Sequence, residues 1–276
     1  MPATARSLTR LRALVLCGTL SVLLFGGCAS NGNPRDPLEP LNRAIYKFND
    51  GADALLIKPA AEFYRAILPE FMRTGLSNFF SNLNDVIVAL NSLLQGKFAQ
   101  AGSDVARLIV NTTVGLLGLF DVATEIGLEK HNEDFGQTLG YWGIGDGPYL
   151  VLPILGPSSA RDAVGWVGDW YTWPVTYVQS DRDRNVLIAM RIVTVRADLL
   201  EASRILETAA LDPYEFVRDA YLQRRRNLVY DGKPPPDEDD LENDVKPKPK
   251  PAAPTPAAPG DPADQVPGGG KPSAAQ

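Results

Sequence analysis

Few side chains in this sequence have types and spacings suited to chemistry. The only histidine, His131, stands beside Glu133 and Asp134, a grouping that would allow acid/base work. Any Ser-His-Asp chemistry would have to run through this one imidazole, and no G-x-S-x-G nucleophile motif accompanies it. A polar loop facing water is the plainer reading, and no enzyme activity is expected. The two cysteines, Cys17 and Cys28, lie in or at the edge of an apolar N-terminal run, so neither a disulfide framework nor a zinc cluster can be built. No metal site and no cofactor are expected. Arg224, Arg225 and Arg226 form the one tight basic cluster and read as a solvated helix end favoured by the helix dipole. The formal charge is −6, and it becomes −9 once residues 1–27, with Arg6, Arg10, Arg12 and no acid, are set aside. So acidic a chain is a poor nucleic-acid binder.

The stretch that needs positioning is residues 133–162, EDFGQTLGYWGIGDGPYLVLPILGPSSARD. It is too apolar for a solvated loop, and Gly140, Gly143, Gly145, Gly147, Pro148, Pro153 and Pro157 interrupt it too often for one helix. Its backbone polar groups must be satisfied by neighbouring elements or water. The flanking helices are read as the frame that holds it.

Residues 1–27 read as an export signal: a basic start, an apolar run from Leu14 to Phe25, and Gly26-Gly27 as a small-residue exit. The run is short for a membrane span. Leu24-Phe25-Gly26-Gly27-Cys28 is similar to a bacterial lipobox, with Phe25 where leucine is usual. That similarity implies cleavage before Cys28 and lipidation of its thiol and new amine. A secretory signal with an incidental cysteine is the alternative. Residues 28–35 then form a short linker.

Asp36-Pro37-Leu38-Glu39 reads as a helix start with a cap, an early proline and a capping box. Leu38, Leu41, Ile45, Phe48 and Ala52 follow as one apolar stripe. Asn42 and Asn49 sit a heptad apart near it. Each either bonds a loop backbone or lines a polar path. Helices are expected over residues 60–67, 70–82, 85–95 and 97–120, with Gly96 as a C-terminal cap. Further helices are expected from residue 160 to 171, from 181 to 209, and from Asp212 to about Tyr230. Trp166, Trp170, Tyr171, Trp173 and Tyr177 make the densest aromatic patch, either core or an interfacial belt. Arg191 and Arg196 intrude among apolar neighbours, where they snorkel or pair with acids. No strand is expected: residues 149–155 are a candidate by composition, but Pro153 and the lack of an evident partner count against it. The fold class is all-α. Of the 23 prolines, 12 lie in residues 234–276, a composition that cannot build a core and reads as disordered.

Three segments together carry a family resemblance: residues 133–162, DPLEPLNRAIYKFND at 36–50, and DPYEFVRDAYLQR at 212–224. They resemble, in order, the motifs of the VacJ/MlaA family of outer-membrane lipoproteins. The resemblance selects lipidation of Cys28, and Ala29 after it suggests outer-membrane sorting. With the signal peptide read over 1–27, it implies a lipidated linker (28–35) and a helical domain (36–232); the acidic, Pro-rich tail (233–276), read as disordered from its composition, has no counterpart in the matched motifs. It further implies a ring of mainly amphipathic helices in the inner leaflet of the outer membrane, with a polar passage through the middle. The expected partners are phospholipid, a trimeric porin and a soluble periplasmic phospholipid carrier. The expected task is removal of phospholipid from the outer leaflet, without bond breaking. By motif position, Asn42, Phe48 and Asn49 become candidates for the passage wall. Gly136, Gly140, Tyr141, Trp142, Gly143, Gly145, Gly147 and Tyr149 become candidates for a segment that shapes or gates it, with the glycines from 140 onward supplying bends. A lipid or cell-wall hydrolase, or a tether between porin and cell wall, are the competing readings.

Overall fold

A computed structural model describes residues 33–235. Cys28, the leader and the tail beyond residue 235 lie outside the described residues. The described chain is mainly helical and includes one short hairpin. In order it comprises α1 (Glu39–Ala52), a π-helical turn (Asp53–Ile57), α2 (Lys58–Ile67), α3 (Glu70–Leu94), α4 (Phe98–Thr113), α5 (Val122–Glu125) and α6 (Phe135–Tyr141). Strands β1 (Tyr149–Leu152) and β2 (Gly156–Ser159) follow. The chain then forms α7 (Ala160–Thr172), a 3-10 turn (Pro174–Tyr177), α8 (Asp181–Ala209) and α9 (Pro213–Val229).

Local capping rules account for most helix starts. Asp134 accepts from the Gln137 amide, Ser159 from Asp162, Ser180 from Asp183, and Asp212 from Tyr214 and Glu215. Pro213 occupies the first turn of α9, where its missing N–H costs nothing. Three helix expectations are corrected. Asp36 does not cap α1, which starts at Glu39 with Pro40 in its first turn; the Asp36 carboxylate is buried instead against Asn42, Tyr214 and Arg218. The two helices expected over 70–95 are one continuous α3, because nothing at residues 83 and 84 breaks the backbone ladder. The helix expected to reach Phe120 ends at Thr113. Beyond it Leu116 and Leu117 adopt φ of 50° and 61°, a left-handed pair that ends any helix.

The expectation of no strand is also corrected. β1 pairs antiparallel with β2, with Tyr149 opposite Ser159 and Leu152 opposite Gly156. Pro153 sits in the connecting turn, so it does not interrupt β1. The partner strand is Gly-Pro-Ser-Ser, a composition of low strand propensity. Side chains of α1 satisfy further β1 backbone groups. Asn42 Nδ2 donates to the Tyr149 carbonyl at 3.0 Å, and the Val151 N–H donates back to Asn42 Oδ1 at 2.9 Å. Asn49 repeats this with the Leu152 carbonyl (2.9 Å) and the Ile154 N–H (2.7 Å). Seven residues of helix and three of strand both advance about 10 Å, so asparagines a heptad apart meet the strand in step.

Apolar burial is divided among small clusters. Ala61 of α2 packs with Ala197 and Leu200 of α8. Ile87 packs with Trp173 and Val175. Tyr149 and Val151 of β1 pack with Tyr214 of α9. Among the described residues, buried polar and charged side chains outnumber buried apolar ones. Meanwhile Leu55, Leu56, Phe63 and Phe71 are 67–78 % exposed. Apolar outside and polar inside inverts the usual arrangement for a protein in water and suits a lipid surface. No described helix is long and apolar enough to cross a membrane.

Candidate functional site

A cavity of about 480 Å³ opens where α3, α6, α7, α8 and α9 meet. One wall is apolar: Ile87, Trp166, Trp170, Trp173, Ile188 and Ile192. Trp166 and Trp170, four apart on α7, stack at 5.6 Å, and Trp173 continues the row at 5.9 Å. Trp173 is buried, whereas Tyr171 and Tyr177 are exposed, so the aromatic patch divides between core and surface. The other wall is ionic: Glu133, Asp134, Asp169, Arg191, Arg224 and Arg225.

Close helix packing builds the ionic wall. A Cβ on Gly165 of α7 would lie 2.4 Å from the Gly136 amide nitrogen, so these two glycines let α6 and α7 touch backbone to backbone. That approach carries Asp134 and Asp162 to the same guanidinium. Arg225 of α9 reaches Asp134 Oδ2 at 2.5 Å and Asp162 Oδ2 at 2.8 Å. Burial works to raise both carboxyl pKa values, but Arg225 outweighs it and holds both below the usual range. Asp169 accepts from the Phe135 N–H at 3.1 Å and from Asn91 at 3.2 Å. Burial and the neighbouring Asp134 charge still push its pKa up to about 7.

The loop before α6 is tied down residue by residue. His131 Nδ1 lies 2.7 Å from Asp104, whose other oxygen takes the buried Ser92 hydroxyl at 3.0 Å. Serine and histidine both face the aspartate, so no nucleophile–base pair exists here. Glu133 receives Gln95 (2.8 Å) and Lys97 (2.9 Å), and Asp134 caps α6. The three candidate acid/base residues therefore point to three different partners. Behind them Arg107, fully buried, joins Asp121 at 2.9 Å and Asn111 joins the same carboxylate at 2.9 Å. Burial opposes this, but bonds from Thr124, Asn111 and Arg107 hold the Asp121 pKa at about 2.

Asn42 and Asn49 do not line this cavity; they face β1. Phe48, beside them, is 59 % exposed. Of the segment expected to shape the passage, Gly136 and Gly140 lie inside α6 as contact residues rather than bends, which corrects the role expected of Gly140. Gly143 and Gly147 do take positive φ, 90° and 67°. Gly145 has open space around it. Tyr141 and Trp142 are exposed, with Trp142 Nε1 donating to the Leu94 carbonyl at 3.2 Å. Tyr149 is fully buried among Tyr214 and Tyr221. The cavity residue Gln137 lay within the stretch singled out in the sequence, whereas Asp169 carried no sequence signal. Arg191 did, as a charge among apolar neighbours. Arg196 pairs with Asp53 at 2.8 Å, whereas Arg191 stacks on Trp173 at 4.6 Å and forms no ion pair with a described carboxylate. Burial lowers the Arg191 pKa.

An apolar exterior around an amphipathic cavity defines an all-α protein suited to handling lipid. The MlaA lipoprotein family matches residues 34–228, and the chain belongs to that family. The intermembrane phospholipid transport system lipoprotein MlaA of Escherichia coli K12 is 36 % identical over 244 residues, covering 83 % of this chain and 92 % of the relative. The protein of that name from Haemophilus influenzae is 31 % identical over 242 residues, covering 84 % and 96 %. A solved structure described as the structural basis for maintenance of bacterial outer membrane lipid asymmetry has a TM-score of 0.62 and 33 % identity, covering 70 % of this chain and 98 % of the other.

Proposed function

We propose that this protein is the lipoprotein component of an intermembrane phospholipid transport system. It removes phospholipid from the outer leaflet of the outer membrane and so maintains lipid asymmetry. The observation that carries the reading is the cavity, with a tryptophan and isoleucine wall facing an ionic one. A headgroup follows the charged side while acyl carbons stay against the apolar side. The relatives named above as phospholipid transport lipoproteins support the substrate. Acylation of Cys28 would tether the chain to the membrane, several chains anchoring far better than one. The exposed leucines and phenylalanines of the π-helical turn, α2 and the start of α3 would lie in the inner leaflet. A trimeric porin and a soluble periplasmic carrier complete the proposal as partners.

The test is the outer-leaflet composition of cells lacking the protein, complemented by wild type or by Cys28→Ala. Phospholipid accumulates in that leaflet and only wild type clears it. An unchanged leaflet overturns the proposal. The hydrolase reading has no support from the site, since His131 and Ser92 both bond Asp104.

A further inference from the structure

The charges around the cavity do not balance locally, and the imbalance has a sign. Glu133 is bonded by Lys97 and Gln95, and Asp134 is forked by Arg225. Asp169 is held by a backbone N–H and by Asn91. Each carboxylate in the wall therefore has donors from the protein itself. Arg225 is likewise occupied, by Asp134 and Asp162. The cations that remain are Arg191, half-buried beside the tryptophans, and Arg224, exposed at the mouth. Neither forms an ion pair with a described residue. Arg191 lies over the Trp173 ring, and the buried Trp173 indole N–H has no acceptor of its own.

A guanidinium partly withdrawn from water with no counter-ion is destabilised. Its face is covered by an indole, but stacking leaves the in-plane N–H donors unanswered. A planar fork of donors matches two oxygens of a phosphodiester better than it matches any neutral group. Next to it the cavity continues as Trp166, Trp170, Ile188 and Ile192, which is the surface a glycerol backbone and the first acyl carbons require.

We propose that Arg191, braced on Trp173, is the subsite for the phosphodiester of a phospholipid inside the cavity, and that Arg224 receives the same group at the mouth. This rests on the reading of the cavity as a lipid passage. Selection is then for the phosphate common to phospholipids and against neutral diacylglycerol of the same chain length.

The test is native mass spectrometry of the full chain in detergent, given an equimolar mixture of phosphatidylglycerol, diacylglycerol with matched chains, and inorganic phosphate. Wild type carries phosphatidylglycerol over diacylglycerol by about tenfold or more, the size of one charge-assisted hydrogen bond. Arg191→Gln brings that ratio to within about twofold, and Arg191→Lys leaves it in between. The ratio is read on folded molecules only, so partial unfolding of a variant does not imitate the result. A ratio unchanged in both variants overturns the subsite and leaves the passage standing. Wild type that carries neither lipid overturns the passage and the subsite together. A phosphate adduct that displaces the lipid assigns the site to free phosphate and overturns the headgroup reading.

Discussion

The Asn42 side chain donates to the Tyr149 carbonyl at 3.0 Å, joining the first helix to a strand 107 positions later. With Val151 donating back, one amide satisfies two buried backbone groups, and it donates to buried Asp36 as well at 2.8 Å. Asn42→Leu removes the partner of both backbone groups, at about 1–3 kcal/mol each, while Asp36 keeps Tyr214 and Arg218. The expected loss of unfolding free energy is about 3 kcal/mol. Asn49→Leu is expected to lose about 1 kcal/mol, because its partner Ile154 is exposed. Chemical denaturation measures both, and equal losses would show that burial does not set the difference.

Gly165→Ala pushes a methyl group against the Gly136 backbone, where neither helix has a flexible side chain to yield. Overpacking of this kind costs about 1–3 kcal/mol. Gly102→Ala is the control: it lies in α4 with nothing within 4 Å of the new carbon, and is expected to gain about 0.5–1 kcal/mol from helix propensity. A thermal melt in which both variants behave alike would contradict the close approach of α6 and α7.

Arg225 holds Asp134 and Asp162 below their ordinary pKa values. A carboxyl depressed by folding contributes stability above its unfolded pKa, near 4, and that contribution is lost as pH falls through the folded value. Arg225→Gln is expected to cost about 3 kcal/mol at neutral pH, since Asp134 loses its ion pair and Asp162 keeps only that to Arg161. It should also flatten the stability profile below pH ~4. An acid limb as steep as wild type would remove Arg225 as its cause.

Asp169 works in the opposite direction. Its folded pKa, about 7, lies above the unfolded value, so its contribution is complete below pH ~4 and lost as pH rises through 7. Asp169→Asn imitates the neutral carboxyl. The melting temperature of the variant relative to wild type is therefore expected to rise steadily between pH 5 and 8. Parallel curves across that range would rule out titration of Asp169.

His131→Ala is expected to leave outer-leaflet asymmetry intact, with a small loss of stability from the broken contact to Asp104. Loss of asymmetry in a variant with a normal melting curve would bring back the hydrolase reading.

Helix starts were legible because their causes are local. Ser159, Ser180 and Asp212 each bond an amide two or three residues away, and such patterns show in the chain itself. The hairpin was not legible. Its second strand is Gly-Pro-Ser-Ser, and much of its support comes from asparagines on α1, to which strand propensity does not refer. Likewise Gly140 reads as a bend by residue type but stands inside a helix against Arg161 and Val229.

By itself the sequence determined the mainly helical class, the start and end of α8, the oddity of Arg191 among apolar neighbours and the family. Each of these depends on residue type at short spacing. Only the tertiary structure decided which of two intruding arginines finds an acid. Arg196 and Arg191 are five positions apart on one helix, yet Asp53 reaches the first from 143 residues away while the second lies over Trp173 with no described carboxylate paired to it. The cavity is of the same kind: Asn91 reaches Asp169 across 78 positions, and Arg225 reaches Asp134 across 91. Residue type and spacing along a chain report a group's charge and its near neighbours. Whether that charge is answered depends on which distant elements pack against it.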